Sequence, residues 1–300
     1  MTARAALADL GKVTEEVPLA ALTTYKLGGS ARYLVVIDGE DDLILAARLA
    51  SEEALPVMAL GRGSNVVVSD SGFPGVVLRA GLGLSRWEVF GDVVQAAAAM
   101  PLPRLAREMV RAGRGGLEFF TGIPGSVGGA VRMNAGCHGS DTAQWMVTAR
   151  VFDLGAGTTV DASPEDLAMS YRHSNLTDDH FVLSARFRTV GRDPGDGEEA
   201  IREITRWRRE HQPGGTLNAG SVFKNPPGDS AGRIIDEAGL KGLRVGGAEV
   251  SRRHANFFVA REGATAADLH RLVVEVRRRV KEATGLDLVP EIRFVGEFGE

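Results

Sequence analysis

The sequence predicts a mixed α+β fold in which two strand-containing halves join near residue 192. The chain has 300 residues, which suits about two domains of ordinary size. Short apolar runs typical of strands alternate with segments of helical periodicity in both halves. Residues 191–199, GRDPGDGEE, are polar and glycine-rich and are the best candidate for a linker.

The beginning of the chain predicts a small β-α-β-β unit. A helix opens at the acidic run Gly39-Glu40-Asp41-Asp42 and stops before Pro56. The turn Asp70–Gly75 reverses the chain. The predicted strands are Tyr33–Ile37, Val57–Leu60, Val66–Val68 and Val76–Leu78.

The clearest helix is predicted over Thr265–Ala283, where apolar residues recur at i, i+3, i+4, i+7 and i+11. Thr265 with Asp268 resembles a capping box, and Gly285 ends the helix. A final strand is predicted at Glu291–Val295. Further helices are predicted after Pro101, around Ile201, Ile204 and Trp207, and over Ser230–Ala238, which Gly239 closes.

Composition excludes several classes of protein. A net charge of −4 gives no electrostatic reason to expect nucleic acid as a partner. The single cysteine, Cys137, excludes a disulfide within the chain and a thiolate-rich metal site, and no metal is expected. Met1–Val17 lacks the apolar core of a signal peptide, and no apolar run is long enough to span a bilayer. We therefore expect a cytoplasmic protein.

Two glycine-rich loops follow apolar strands. The first contains Gly61, Arg62, Gly63, Ser64 and Asn65. It continues as a strand rather than opening a helix with a third glycine, so it is not a Rossmann dinucleotide loop, and no P-loop motif is present. The second contains Gly122, Ile123, Pro124, Gly125, Ser126, Val127, Gly128, Gly129 and Ala130 and continues through Asn134, Ala135 and Gly136.

Successive backbone N–H groups without bulky side chains can converge on an anion. The second loop has little positive charge, so a pyrophosphate would be held mainly by backbone dipoles, with Ser126 as an added hydroxyl donor. For one isolated glycine, tight packing of strand on helix would be the better explanation. Two such loops favour a site for nucleotide phosphates.

Further segments make the pattern specific. They are Tyr171-Arg172-His173-Ser174, Asn218-Ala219-Gly220-Ser221-Val222-Phe223-Lys224-Asn225-Pro226 and Pro290-Glu291-Ile292-Arg293, supported by Ala238–Gly242, Gly246–Ala248 and His254–Phe257. Together with both glycine loops, and in the same order along the chain, they resemble the UDP-N-acetylenolpyruvoylglucosamine reductases from about Thr23 to Val295.

The resemblance implies an FAD-binding domain of the vanillyl-alcohol-oxidase type, in two α/β subdomains, and a C-terminal α+β domain that binds substrate. The expected ranges are 1–75, 76–192 and 193–300. Both glycine loops would wrap the FAD pyrophosphate. NADPH and UDP-N-acetylglucosamine enolpyruvate would use one site in turn, as small-molecule partners in peptidoglycan synthesis.

The resemblance also implies roles for three residues: Ser221 as proton donor, with Arg172 and Glu291 assisting at the enolate. The chemistry is consistent, because hydride addition to an enolpyruvyl ether needs a cationic stabiliser and a proton donor on carbon. Taken singly, each residue has another reading: a surface ion pair for Arg172, a turn residue for Ser221, and a solvated charge at a strand start for Glu291.

Lys224 and Asn225 are expected to face the UDP of the substrate, although Lys224 could be a solvated charge. His211 stands where the family often has a basic side chain that contacts the substrate, and a histidine is charged only part of the time at neutral pH. No tyrosine lies between Tyr171 and Ser221, which indicates the shorter family type without a tyrosine-bearing loop.

Two other functions remain open at this point. One is a flavin oxidase or dehydrogenase of the same fold that acts on an alcohol or sugar. The other is a non-catalytic nucleotide-binding protein that keeps only the glycine loops. The presence of Arg172, Ser221 and Glu291 at their motif positions argues against both.

Overall fold

The computed structural model describes residues Met1–Gly299, in which there are eight α-helices and eighteen β-strands. The helices are α1 (Ala3–Asp9), α2 (Glu40–Glu52), α3 (Leu102–Arg111), α4 (Val127–Met133), α5 (Thr142–Trp145), α6 (Pro194–His211), α7 (Ala231–Glu237) and α8 (Ala266–Thr284). The strands are β1 (Val13–Pro18), β2 (Ser30–Ile37), β3 (Val57–Ala59), β4 (Val66–Val68), β5 (Phe73–Ala80), β6 (Trp87–Phe90), β7 (Val93–Ala97), β8 (Arg114–Gly115), β9 (Gly136–Cys137), β10 (Ser140–Asp141), β11 (Met146–Asp153), β12 (Thr158–Ala162), β13 (His180–Arg188), β14 (Val190–Gly191), β15 (Arg244–Val245), β16 (Ala248–Val250), β17 (Phe258–Ala260) and β18 (Arg293–Val295).

Contacts between residues divide the chain into two units. The first unit comprises Met1–Glu16, Arg32–Arg62 and Gly75–Trp207, and the second comprises Val17–Ala31, Gly63–Pro74 and 208–299. The chain therefore passes between the units several times, including once inside the first glycine loop. The expected three-part division at residues 75 and 192 stays a prediction.

The first unit contains a sheet of order β1-β2-β5-β3, in which β3 and β5 run parallel with Val57 opposite Val76. Helix α2 buries Leu43 and Leu49 in the same core as β5. Three acidic residues in its first turn favour the helix N-terminus electrostatically. The predicted start of this helix and its end before Pro56 are confirmed.

The first unit also contains a five-stranded antiparallel sheet of order β12-β11-β13-β7-β6. Helices α3 and α4 contribute buried side chains to its core, among them Leu105 and Met109 of α3. The helix predicted after Pro101 is confirmed as α3. The sequence pattern assigned no strand between residues 146 and 188, although β11, β12 and β13 all lie there.

The second unit is organised around α8, which packs against β15 and β16 of the three-stranded sheet β15-β16-β17. The predicted capping box is confirmed: the Thr265 hydroxyl accepts from the Asp268 N–H, and the Asp268 carboxylate accepts from the Thr265 N–H. Gly285 ends the helix with φ 76°. Helix α7 begins after Ser230 as predicted.

Two strand predictions are wrong, one in its pairing partner and the other in its first residue. Strand β4 is not the third strand of the β-α-β-β unit, because it pairs in parallel with β18 in the second unit, with Val66 opposite Arg293. The final strand begins at Arg293, so Glu291 precedes it rather than lying in it. The sequence of a three-residue strand does not indicate which strand it pairs with. The apolar pattern alone therefore predicted that β4 pairs with its neighbours in sequence.

The predicted linker is also wrong. Residues from Pro194 onward form the first turns of α6, which runs to His211. Proline is tolerated in a first helical turn because its missing N–H would have no intrahelical partner there. Asp196 in that turn is favourable at a helix N-terminus.

Candidate active site

The first glycine loop has backbone N–H groups that make no hydrogen bond within the described chain. None of the N–H groups from Gly61 to Asn65 donates a hydrogen bond to any residue in the range 1–299. Gly63 has φ 63°, and a side chain there would bring its Cβ to 2.2 Å from the Leu22 carbonyl oxygen. The bend therefore requires glycine, and it leaves a row of donors for solvent or an anion.

The second glycine loop lies against the first within the first unit. A Cβ on Gly61 would lie 2.9 Å from the Ser126 hydroxyl oxygen. Ser126 is only 3% exposed and precedes α4, but its hydroxyl makes no capping bond. The N–H of exposed Gly129 is also without an acceptor in the described chain, whereas the Val127 and Gly128 N–H groups donate to Met100 and Ala98.

A buried hydroxyl beside this loop is also unsatisfied. Thr121 precedes Gly122, is 5% exposed, and its Oγ1 has no hydrogen-bond partner among the residues described. A buried polar group without a partner is costly. The backbone N–H groups of Gly61, Arg62 and Gly129 and the Ser126 hydroxyl, all in the first unit, form a donor set that suits a pyrophosphate, so these residues fit the expected FAD.

Other predicted cofactor residues also have structural roles. Gly125 accepts the Leu102 N–H through its carbonyl, and Ile123 donates its N–H to Phe120. The Ala135 carbonyl accepts both the N–H and the hydroxyl of Thr142. Packing alone requires the glycines at 122 and 136, since a Cβ would lie 2.5 Å from Cys137 Sγ and from the Ser140 carbonyl respectively. Pro124 is exposed.

Arg172 is held against the second glycine segment. Its guanidinium donates to the Gly136 carbonyl oxygen at 2.6 Å and lies 5.0 Å from the ring centroid of Tyr171. Its backbone has φ 54°, an uncommon conformation for a residue with a side chain, within a tight turn closed by Ser170 and His173. Strained backbone of this kind clusters at functional sites.

Ser221 and Glu291 lie on adjacent segments of the second unit. The Glu291 N–H donates to the carbonyl oxygen of Val222, the residue after Ser221, at 2.7 Å. Phe223 forms a β-bridge with Pro290. The half-buried Ser221 hydroxyl makes no hydrogen bond to the chain that the structure describes.

The end of the first glycine loop contacts the Glu291 segment, because the Asn65 side-chain amide donates to the Glu291 carbonyl oxygen at 3.0 Å. Each unit thus brings one set of predicted residues together. Arg172 lies with the second loop in the first unit, and Ser221, Glu291 and Asn65 lie together in the second.

The three predicted substrate residues are also in the second unit. The Lys224 N–H donates to the Val289 carbonyl at 2.8 Å, which fixes its backbone next to Glu291. The Asn225 side-chain oxygen accepts the Ala231 N–H at 3.0 Å at the start of α7. His211 is the last residue of α6 and is exposed.

Two residues near His211 were not among the predicted site residues. Burial lowers the pKa of His254 below its usual value, and the charges of Lys241 and His211 lower it further, so the three side chains lie within electrostatic range. Their signal in the sequence was their place in the matching segments Ala238–Gly242 and His254–Phe257. Basic residues grouped beside a predicted diphosphate contact are candidates for the same role.

No helix between Met1 and Gly299 has the length and apolarity needed to cross a membrane. Within the same range there is no group of three or more histidine, cysteine or acidic side chains placed to hold a metal ion.

Comparisons with known proteins identify the family of the chain. Residues 31–163 match the family described as FAD binding domain, and residues 212–295 match UDP-N-acetylenolpyruvoylglucosamine reductase, C-terminal domain. The UDP-N-acetylenolpyruvoylglucosamine reductase of Rubrobacter xylanophilus is 45% identical over 93% of this chain and 94% of its own length. The reductase of the same name from Methylorubrum populi is 45% identical over 98% of this chain and 95% of its own length.

A solved structure gives the same answer. The UDP-N-acetylenolpyruvylglucosamine reductase of Thermus caldophilus superposes with a TM-score of 0.82 at 38% identity, covering 94% of this chain and 98% of that one. The predicted α+β class, with an FAD-binding domain and a C-terminal domain, is confirmed. The chain belongs to the family of UDP-N-acetylenolpyruvoylglucosamine reductases.

Proposed function

We propose that this chain reduces the enolpyruvyl group of UDP-N-acetylglucosamine enolpyruvate with electrons from NADPH, giving UDP-N-acetylmuramate for peptidoglycan synthesis. Family membership and the match to an FAD-binding domain support an FAD-dependent oxidoreductase. The observation that carries the proposal for this chain is the hydrogen bond from the Glu291 N–H to the Val222 carbonyl, because it joins the backbone segments that contain Glu291 and Ser221.

The two glycine loops hold the cofactor in this proposal. The N–H groups of Gly61, Arg62 and Gly129, which make no hydrogen bond within the described chain, would bind the pyrophosphate together with the Ser126 hydroxyl. When bound, FAD supplies hydride transfer from NADPH to the enolpyruvyl carbon.

Arg172 stabilises the negative charge that develops on the substrate carboxylate and enolate. Its guanidinium donates to the Gly136 carbonyl oxygen at 2.6 Å. The Gly136 carbonyl and the Tyr171 ring limit its rotamers, so less reorganisation is needed as charge develops.

Ser221 protonates the carbon that does not receive hydride, and Glu291 assists at that step. An ordinary serine hydroxyl is a weak acid and needs an activating partner. Backbone hydrogen bonds hold the Ser221 and Glu291 segments together, which keeps such a partner in reach.

The sugar nucleotide binds through Lys224, Asn225 and His211, to which we add Lys241 and His254. A diphosphate at this cluster would meet cationic and hydrogen-bonding groups. The described segment between Arg172 and Ser221 holds β13, β14 and α6 and no tyrosine, which supports the shorter family type. We place the reaction in the cytoplasm, with small molecules rather than nucleic acid as partners.

The direct test is anaerobic. Purified protein should be yellow, NADPH should bleach the flavin band, and UDP-N-acetylglucosamine enolpyruvate should restore it. Recovery with oxygen but not with this substrate would point to an oxidase of the same fold. Protein that NADPH does not bleach would favour the non-catalytic alternative.

A further inference from the structure

Asn65 is the last residue of the first glycine loop, and it hydrogen-bonds on both sides of Ile292. Its side-chain Nδ2 donates to the Glu291 carbonyl oxygen at 3.0 Å. Its own carbonyl oxygen accepts the Arg293 N–H, also at 3.0 Å. The side-chain amide is therefore directed at the Glu291 peptide group.

The other side of Glu291 is bound to the segment of the proposed proton donor. The Glu291 N–H donates to the Val222 carbonyl oxygen, and the Val222 N–H donates to the Asn256 carbonyl oxygen. Glu291 lies outside regular strand, because β18 begins only at Arg293. Its segment is held by a few hydrogen bonds, among them Lys224 N–H to the Val289 carbonyl and the bridge between Phe223 and Pro290, rather than by a continuous strand.

We infer that Asn65 is a positioning residue: it fixes the Glu291 carboxyl relative to Ser221 from within the glycine loop. The inference rests on the proposed role of Glu291 in protonating the substrate. Asparagine suits the task, because its amide donates to a carbonyl, whereas an ionised aspartate of the same shape has no donor. Small displacements of a catalytic group are costly in rate, about 100-fold for 1 Å.

Asn65→Ala should keep FAD and should be reduced by NADPH at close to the wild-type rate. Reoxidation by UDP-N-acetylglucosamine enolpyruvate should slow about 10- to 100-fold, measured by stopped-flow absorbance of the flavin band. If Asn65 acts through Glu291, the double variant with Glu291→Gln should be no slower than Glu291→Gln alone. Asn175→Ala, which removes a similar bond from Nδ2 to the Asp166 carbonyl at 2.9 Å, is the control and should change neither half-reaction.

Asn65→Asp separates positioning from folding. Its carboxyl donates only when protonated, and an aspartate ordinarily has a pKa near about 3.9, so its reoxidation rate relative to wild type should rise as the pH is lowered toward that value. A structural defect would not respond to pH in this way. In flavin-free protein, amide hydrogen exchange across residues 289–295 should be about 10-fold faster in Asn65→Ala than in wild type.

Wild-type reoxidation in Asn65→Ala, or full additivity with Glu291→Gln, overturns the inference. Loss of FAD with equal slowing of both half-reactions also overturns it and assigns Asn65 to cofactor binding. If wild-type protein is not reoxidised by the substrate, the proposed function fails instead. The exchange measurement then still decides, without flavin, whether Asn65 holds the Glu291 segment.

Discussion

Replacing Ser221 with alanine should separate the two half-reactions. The Ser221 hydroxyl makes no hydrogen bond within the described chain, and the neighbouring backbone is bonded through Val222 and a bridge to Phe257. Removal of the oxygen should therefore change the free energy of unfolding by less than about 0.5 kcal/mol. Reduction by NADPH needs no proton donor for carbon and should proceed at close to the wild-type rate.

Reoxidation by the enolpyruvyl substrate should slow by about 10²–10⁴-fold, the usual contribution of a positioned proton donor. At about 1.36 kcal/mol per tenfold, the barrier should rise by roughly 2.7–5.5 kcal/mol. Stopped-flow absorbance of the flavin band measures each half-reaction separately. Ser221→Cys should recover part of the rate if its thiol reaches the carbon.

The control is Ser85→Ala, which removes a serine hydroxyl bonded to the Leu82 carbonyl in the first unit. It should change neither half-reaction. Equal slowing of both half-reactions in Ser221→Ala would indicate a structural role for the serine. Normal reoxidation would mean that another group delivers the proton.

Three further predictions follow from the same geometry. Gly129→Asp should fold, because the nearest atom to its Cβ would be Ser126 Oγ at 3.7 Å. It should lose FAD, measured as flavin per protein, because its charge would oppose a pyrophosphate. Full FAD content would exclude this loop from the phosphate site. Asn225→Asp keeps the oxygen that accepts the Ala231 N–H but loses the amide donors proposed to bind the sugar nucleotide, so KM for that substrate should rise by a factor matching about 1.5–3 kcal/mol; an unchanged KM would exclude Asn225 from that site. Burial lowers the pKa of His254, so below about pH 6.5 the unfolded chain takes up a proton before the native chain does. The stability of the wild type should therefore fall relative to that of His254→Gln between pH 7 and 5, by at most about 1.4 kcal/mol per pH unit. Urea unfolding of flavin-free protein measures this, and a stability difference between the two proteins that does not change with pH would contradict it.

The sequence predicted best where local chemistry decides the structure. The start and end of α8 depend on Thr265, Asp268 and Gly285, whose caps act within one helical turn, and all three behave as predicted. Its apolar spacing likewise follows from helix geometry alone. The same reasoning located α7 from Ser230.

Prediction failed where structure depends on distant partners. Nothing within Val66–Val68 indicates that β4 pairs with β18, more than 200 residues away, rather than with its neighbours. Residues 194–199 have loop-like composition, but continuity with the rest of α6 makes them helical. Local propensity is a weak prior, and tertiary context overrides it in both cases.

The candidate site was predicted from motifs, but the motifs did not distinguish ligand contacts from structural ones. Asn225 has a side-chain bond to the start of α7, and Asn65 bonds the Glu291 peptide. Both facts depend on atoms brought together by folding. Lys241 and His254 were visible only as residues inside matching segments, because their proximity to His211 is a property of the folded unit.

Two energetically costly features of the first unit adjoin the second glycine segment, although the unit contains others elsewhere, such as the unpartnered hydroxyl of Thr159 and the left-handed backbone of Ala54 and Ala168. A buried hydroxyl without a partner, as at Thr121, costs about 1–3 kcal/mol, and the left-handed backbone of Arg172 costs a similar amount. Neither stabilises the chain by itself, and a sequence selected for stability alone would tend to lose both. The Arg172 turn brings the guanidinium to the Gly136 carbonyl, and its strained backbone is best explained if the turn is kept for the position that it gives the side chain. The strain at Arg172 thus supports the site that the motifs indicate, on physical grounds that do not depend on the resemblance.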